Sequence, residues 1–409
     1  MSAPPATVTA EDIARARAVI GDVVHHTPVV PAAALTEHAG RPVVYKAENL
    51  QRTGSFKVRG ALHKLAALGA DGAAGVVCGS AGNHAQALAF AARERGVRCE
   101  VFMPVEAPIA KVEGAVALGA VVRLTGTSVD ECVAAALERA MTAGMAFVHP
   151  FDDPEIVAGQ GTLGLELLED VPDLATVVVP VGGGGLISGI AIAVKSARPH
   201  VRVVGVQIEG CPSYGPSLAA GEPIAVERMG LTIADGIAVK RPGELPLRLV
   251  RDWVDEIVVV GEDETAEAMV LLLEQAKLVV EGGGAVGVAA LLGGQVTAAA
   301  EGTTCIVLSG GNVDAGLLAV VARRHETEAG RRLVLFTRVP DRPGGLATLL
   351  ALLSETGANL VDVEHVREGV DLRVRETAVQ LVMETRGREH AERVVAAVAE
   401  AGYAATVVR

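Results

Sequence analysis

Residues 174–194 read Leu174-Ala175-Thr176-Val177-Val178-Val179-Pro180-Val181-Gly182-Gly183-Gly184-Gly185-Leu186-Ile187-Ser188-Gly189-Ile190-Ala191-Ile192-Ala193-Val194, an uncharged run between Asp173 and Lys195. Its length would let a helix cross a membrane. Pro180 and four consecutive glycines in its middle would break such a lipid-facing helix. A buried strand, a tight glycine turn and a buried helix account for the same residues. The pattern recurs on both sides. Val76-Val77-Cys78 precedes Gly79-Ser80, and Ile306-Val307-Leu308 precedes Ser309-Gly310-Gly311. From about Val43 to Val320, short Val/Ile runs alternate with small-residue turns and Ala/Leu-rich helical stretches. This repetition predicts an α/β fold with a mostly parallel sheet. Ligands of such sheets bind at the carboxyl ends of the strands, where all three turns fall.

The chain has 409 residues, room for two or three domains. Half its residues are hydrophobic but only 2% are aromatic, so the core must be built from Ala, Val, Leu and Ile. A net charge of -13 repels phosphate backbones and argues against a nucleic-acid partner. Cys78, Cys99, Cys132, Cys211 and Cys305 are odd in number and form no CxxC pair. They speak for a reducing, cytoplasmic setting and against disulfides or zinc. The first twenty residues lack a basic start with a long apolar stretch, so no signal peptide is expected. Met1 to Ala10 is expected to be loose.

The composition changes in Arg323-Arg324-His325-Glu326-Thr327-Glu328-Ala329-Gly330-Arg331. Residues 326–331 are read as a linker between a domain at 1–325 and a second at 332–409. The second has a strand from Leu333 to Val339, a helix to about Glu355, strands from Leu360 to Arg367 and Thr377 to Glu384, a helix from Glu389 to Ala401 and a strand from Ala404 to Val408. That is the ferredoxin-like βαββαβ order.

Four short stretches carry chemistry. Only seven lysines occur, and Lys57 lies in Gly54-Ser55-Phe56-Lys57-Val58-Arg59-Gly60, a turn leading into a helix start. The positive end of a helix dipole depresses an amine's pKa, and a lowered, well-held amine is a nucleophile. An ordinary lysine beside a helix cap has the same sequence. Lys64, two turns on, is expected to face solvent. Ser80-Ala81-Gly82-Asn83-His84 offers helix-start N–H groups to a carboxylate, with hydrogen-bonding side chains on Asn83 and His84, or is only a cap. Gly182 to Leu186 lets the backbone wrap a phosphate, or is only a close strand–helix contact. It matches neither G-x-G-x-x-G nor a P-loop. Ser309-Gly310-Gly311-Asn312 offers a hydroxyl that suits a neutral heteroaromatic nitrogen, or is a simple turn. Asp152-Asp153 is read as a solvated turn.

Taken in order, the four stretches resemble the fold-type II family of pyridoxal-phosphate enzymes. The run from Thr232 to Leu245 resembles the threonine ammonia-lyases (threonine dehydratases), as do His149-Pro150-Phe151-Asp152 and Ile156 to Thr162. The resemblance covers about residues 15–325. Residues 332–409 resemble an ACT regulatory domain through Asp341-Arg342-Pro343-Gly344 and Gly357-Ala358-Asn359-Leu360.

The resemblance implies two subdomains, the smaller at about 53–150 inserted in the larger. It implies pyridoxal 5'-phosphate as cofactor, with Lys57 as the Schiff-base lysine that also takes the substrate's α-proton. Asn83 would meet the cofactor's phenolic oxygen, and Gly182, Gly183, Gly184, Gly185 and Leu186 its phosphate. Ser309 would meet the ring nitrogen, while Phe56 and Glu281 would lie near the ring. Ser80, Gly82, Asn83 and His84 would surround the substrate carboxylate. The reaction implied is elimination from L-threonine or L-serine to 2-oxobutyrate or pyruvate and ammonia. Isoleucine or valine would act at the ACT domain, with Gly344 and Asn359 as candidate contacts. The assembly implied is a homodimer or homotetramer, and the pathway either isoleucine synthesis or threonine breakdown.

Two departures bear on alternatives. Serine racemases of this family carry Ser, as an acid, where this chain has Ala81. Their divalent metal uses a Glu and a later Asp; here Glu209 is present but Gly210 to Ser217 holds no Asp, so no metal-binding residue is assigned and a cation near Glu209 is left open. Serine racemase, a hydroxyaspartate-type lyase and a non-catalytic amino-acid or cofactor sensor remain the competing readings.

Overall fold

The computed structural model describes residues 7–368 and 371–408. The chain divides into two compact units, Met1–Asp314 and Ala315–Arg409.

The first unit holds two sheets. In the larger, strands run in the order Val29–Pro31, Val43–Ala47, Thr303–Leu308, Leu174–Pro180, Arg202–Ile208 and Glu256–Val260. All neighbours are parallel except the first pair. The smaller has the order Val121–Leu124, Cys99–Met103, Val76–Gly79 and Ala146–Phe147, all parallel. Strands covered by helices on both faces are apolar along their length. Accordingly, Val177, Val178, Val179, Ile306, Val307 and Leu308 are buried. The uncharged run at 174–194 folds as expected into strand Leu174–Pro180, the glycine turn and helix Gly185–Ala197. No helix among the described residues is long and apolar enough to cross a membrane.

After an opening helix, Ala315–Glu328, the second unit follows the βαββαβ order, with antiparallel strands Asn359–Val366, Glu376–Glu384, Arg332–Pro340 and Thr406–Val408. Helices Gly345–Thr356 and Arg388–Glu400 close its core of Leu335, Leu349, Val379, Leu381, Val394 and Val398.

Three expectations need correction. Residues 326–331 are not all linker, because helix Ala315–Glu328 runs through the first half. Its charges pair locally, Arg324 with Glu328 at 2.8 Å and Arg331 with Glu326 at 2.6 Å, which a composition shift does not reveal. The chain start is not loose throughout. Val8 is buried, and Thr9 caps helix Ala10–Ile20 in a capping box with Asp12. Residues 1–6 of that expectation lie outside the described residues. Lys64 does not face open solvent; its amine sits 2.5 Å from Asp153.

Candidate active site

Lys57 opens helix Lys57–Leu68, and its Nζ donates to the Pro150 carbonyl at 3.0 Å. Burial pushes the amine down to about 8, opposed by the Glu281 carboxyl nearby. Desolvation therefore does what the sequence reading assigned to the helix dipole. The turn before Lys57 is stitched to the Ser309 turn. Phe56 N donates to Ser309 O at 3.1 Å, and Gly311 N to Gly54 O at 2.9 Å. Ser309 is nearly buried, and Phe56 packs against the core of the large sheet.

Asn83 begins helix Asn83–Arg95. Its Nδ2 donates to Glu281 Oε1 at 2.7 Å, and its Oδ1 accepts from Asn312 Nδ2 at 2.7 Å. Asn312 Nδ2 also reaches Thr53 O at 2.8 Å. Glu281 is buried; burial and the charge of Asp235 push its carboxyl up to about 7, against the pull of the Asn83 amide. Ser80 Oγ accepts from Gly82 N at 3.3 Å just ahead of the helix.

The His84 ring is not the side-chain donor expected from the sequence. It is buried, its Nε2 is 3.0 Å from Val148 O, and burial pushes its pKa down to about 3. Its backbone N–H remains at the helix start. Asp152-Asp153 is likewise no solvated turn. Asp153 caps helix Pro154–Asp170, and Asp152 accepts from Glu244 N and Leu245 N at 2.9 and 3.0 Å.

The glycine turn is moulded by residues distant in sequence. A Cβ on Gly183 would fall on the Phe151 ring, and one on Gly184 on the Tyr214 hydroxyl. Gly184 also has φ +93°, a conformation costly to any residue with a Cβ. The fully buried Tyr214 donates to Gly183 O at 3.1 Å. Helix Gly185–Ala197 starts at this turn, with its first N–H groups free of intrahelical partners. Tyr214, Asn312 and Phe151 were not singled out from the sequence; only Asn312 and Phe151 lay inside quoted motifs.

Residues 20–310 match the model of the family described as pyridoxal-phosphate dependent enzymes. The chain belongs to the pyridoxal-phosphate dependent enzymes. Residues 333–400 match the ACT domain. An L-threonine ammonia-lyase from Thermotoga maritima is 45% identical over 402 residues, 98% of this chain and 100% of that protein. Among solved structures, a threonine deaminase from tomato, Solanum lycopersicum (the processed form of isoform 2), is 31% identical with a TM-score of 0.72, covering 78% of this chain and 90% of that one. Maize serine racemase is 35% identical with a TM-score of 0.74, covering 79% and 99%.

The residues of this pyridoxal-phosphate dependent enzyme fit the cofactor that the family implies. They offer a glycine cradle with no space for side chains, a desolvated amine, and a nearly buried serine hydroxyl at the end of the central strand. Gly344 caps helix Gly345–Thr356 in the second unit at φ +85°. Asn359 opens the strand Asn359–Val366 there, its Nδ2 donating to Glu384 at 2.9 Å. Glu209 lines a cavity of about 430 Å³ with Glu262, Asp263 and Glu264. Among the described residues no group of three or more His, Cys, Asp or Glu is arranged to hold a metal.

Proposed function

We propose that this enzyme is a threonine ammonia-lyase, converting L-threonine to 2-oxobutyrate and L-serine to pyruvate, with release of ammonia. The observation that carries the reading is a desolvated Lys57 amine beside the Asn83–Glu281 pair, in a chain similar over 98% of its length to an L-threonine ammonia-lyase.

Pyridoxal phosphate, when bound, supplies the electron sink that makes the α-hydrogen of an amino acid acidic. Lys57 would hold it covalently and, as a free amine near 8, take up the α-proton close to neutral pH. Backbone N–H groups of Gly182, Gly183, Gly184, Gly185 and Leu186 would bind the phosphate at a helix N-terminus. Asn83 would meet the phenolic oxygen, and Ser309 the ring nitrogen without forcing a proton onto it. Phe56 and Glu281 would flank the ring. Ser80, Gly82, Asn83 and the N–H of His84 would receive the substrate carboxylate at the start of helix Asn83–Arg95.

Similarity to maize serine racemase favours one second reading. Racemisation needs a proton donor on the face opposite Lys57, and Ala81 supplies none. The ACT unit would take isoleucine or valine, with Gly344 and Asn359 as contacts to test. Isologous pairing in a homodimer or homotetramer and a cytoplasmic location complete the reading.

The test is the absorption band of the lysine-bound cofactor together with 2-oxo acid release from L-threonine, beside Lys57→Ala. Wild type should show both and the variant neither. A band with inert threonine would remove the substrate assignment, and serine racemisation and hydroxyaspartate would then be assayed.

A further inference from the structure

The loop between strand Ala146–Phe147 and helix Pro154–Asp170 touches parts of the site that the chain supplies from three other places. The Pro150 carbonyl accepts from Lys57 Nζ at 3.0 Å. The Phe151 ring fills the space beside Gly183, and its backbone O lies 3.2 Å from where a Cβ on Gly185 would stand. The Asp152 carboxylate holds the first N–H groups of helix Glu244–Trp253.

One side chain gives this loop its shape. His149 Nδ1 accepts from Phe151 N at 3.3 Å and from Asp152 N at 2.8 Å. Its ring stands edge-on to Phe151, centroids 4.6 Å apart at 90°. A ring nitrogen that accepts carries no proton, so His149 is neutral with its proton on Nε2. Burial pushes its pKa down, which favours that form.

We infer that His149 is a positioning residue for Lys57 and the glycine turn: its Nδ1 fixes the backbone of 150–152, through which Pro150 aims the amine and Phe151 shapes the phosphate cradle. This rests on the reading of Lys57 and the glycine turn as the cofactor site. The physical argument is one of leverage. Without an acceptor, two adjacent N–H groups must turn toward water, and the peptide carrying the Pro150 carbonyl turns with them. A displacement of about 1 Å at a reacting group can cost about 100-fold in rate.

The experiment compares full-length wild type with His149→Phe, which keeps a ring but loses the acceptor, and His149→Asn, which loses the ring but keeps an acceptor for N–H groups two and three residues on. Three quantities are measured: the Kd for pyridoxal phosphate, the pH midpoint of the lysine-bound cofactor's absorption band, and kcat and KM for L-threonine. His149→Phe should weaken cofactor binding about 10-fold, shift the midpoint, and lower kcat by about 10- to 100-fold with a smaller change in KM. His149→Asn should restore most of each. A purely structural role would lower the Tm of His149→Phe while leaving Kd and midpoint unmoved, and that result overturns the inference. So does a His149→Asn variant as impaired as His149→Phe. Should His149→Phe fail to fold, His149→Gln, whose acceptor lies one bond further out, replaces it with the same expectations. Kd and midpoint do not depend on which amino acid is turned over. Inert threonine would therefore count against the lyase reading and leave this comparison decisive.

Discussion

Asn83 Nδ2 and Glu281 Oε1 meet at 2.7 Å, joining residues 198 positions apart. The acceptor is a carboxyl that burial and Asp235 push up to about 7, so it holds its proton where an ordinary glutamate has lost it. Between the ordinary value of 4.5 and about 7, the folded protein binds a proton that the unfolded chain releases. Stability from this group is thus present below that window and lost as pH rises through it. Glu281→Gln should flatten that fall in the cofactor-free protein, an effect of about 3 kcal/mol. Urea unfolding at a series of pH values reads it directly. Parallel curves for wild type and variant would show that Glu281 does not titrate in this range.

Gly184 leaves no space for a side chain, because a Cβ there would occupy the position of the Tyr214 hydroxyl. Gly184→Ala should therefore open the cradle and weaken binding of pyridoxal phosphate by about 10- to 100-fold. Tyr214→Phe keeps the ring and loses one hydrogen bond to Gly183 O, so its effect is smaller, about 1 kcal/mol in stability. Equilibrium titration with the cofactor and thermal unfolding separate the two. Equal affinity in wild type and Gly184→Ala would dismiss the glycine turn as the phosphate site.

What was legible in the sequence follows from locality. The runs Val177–Val179 and Ile306–Leu308 announce buried parallel strands because both faces of each are covered, and the glycines after the first mark a turn that excludes side chains. In the second unit, strand Glu376–Glu384 buries Val379, Leu381 and Met383 and leaves Gln380 and Glu384 less covered, an alternation legible over the second half of the strand. What stayed hidden depends on direction or on distant partners. His84 sits in the expected motif, yet its ring turns to Val148 O. Tyr214 belongs to no motif, and its role comes from Gly183, 31 residues away. Asp152 is an ordinary loop acid in sequence; the N–H groups it holds come 92 and 93 residues later.

The ACT unit offers its own test. If isoleucine or valine acts there, adding either should shift the threonine saturation curve. Asn359 is tied to Glu384 at 2.9 Å, and Gly344 starts a helix at a positive φ that alanine adopts with strain. Asn359→Ala and Gly344→Ala should each raise the effector concentration for half effect, by about 10-fold, the equivalent of 1.4 kcal/mol. Saturation curves that neither amino acid moves would remove both as effectors.

Arg59 lies fully buried two residues after Lys57. It reaches both oxygens of Glu48 at 2.8 Å and those of Glu166 at 2.6 and 3.0 Å. Lys46 Nζ extends the network to Glu166 and Asp170 at 2.7 and 2.9 Å. Burial alone would raise the Glu48 carboxyl, but the charge and hydrogen bonds of Arg59 outweigh it and hold Glu48 below its ordinary range. This contribution is therefore present above the ordinary carboxylate pKa and lost as pH falls through the depressed value. Arg59→Met leaves the buried Glu48 without its ion-pair partner and Glu166 with Lys46 alone, and should cost about 3–5 kcal/mol near neutral pH. Arg59→Lys keeps the charge but lacks the planar fork, and should fall between the two. The sign of the pH dependence discriminates further. With Arg59 gone, burial leaves Glu48 raised instead of lowered, so mild acid should narrow the gap between variant and wild type. Chemical unfolding at neutral pH and in mild acid measures both quantities, and a gap that stays constant or widens in acid would show that Glu48 does not depend on Arg59 for its charge.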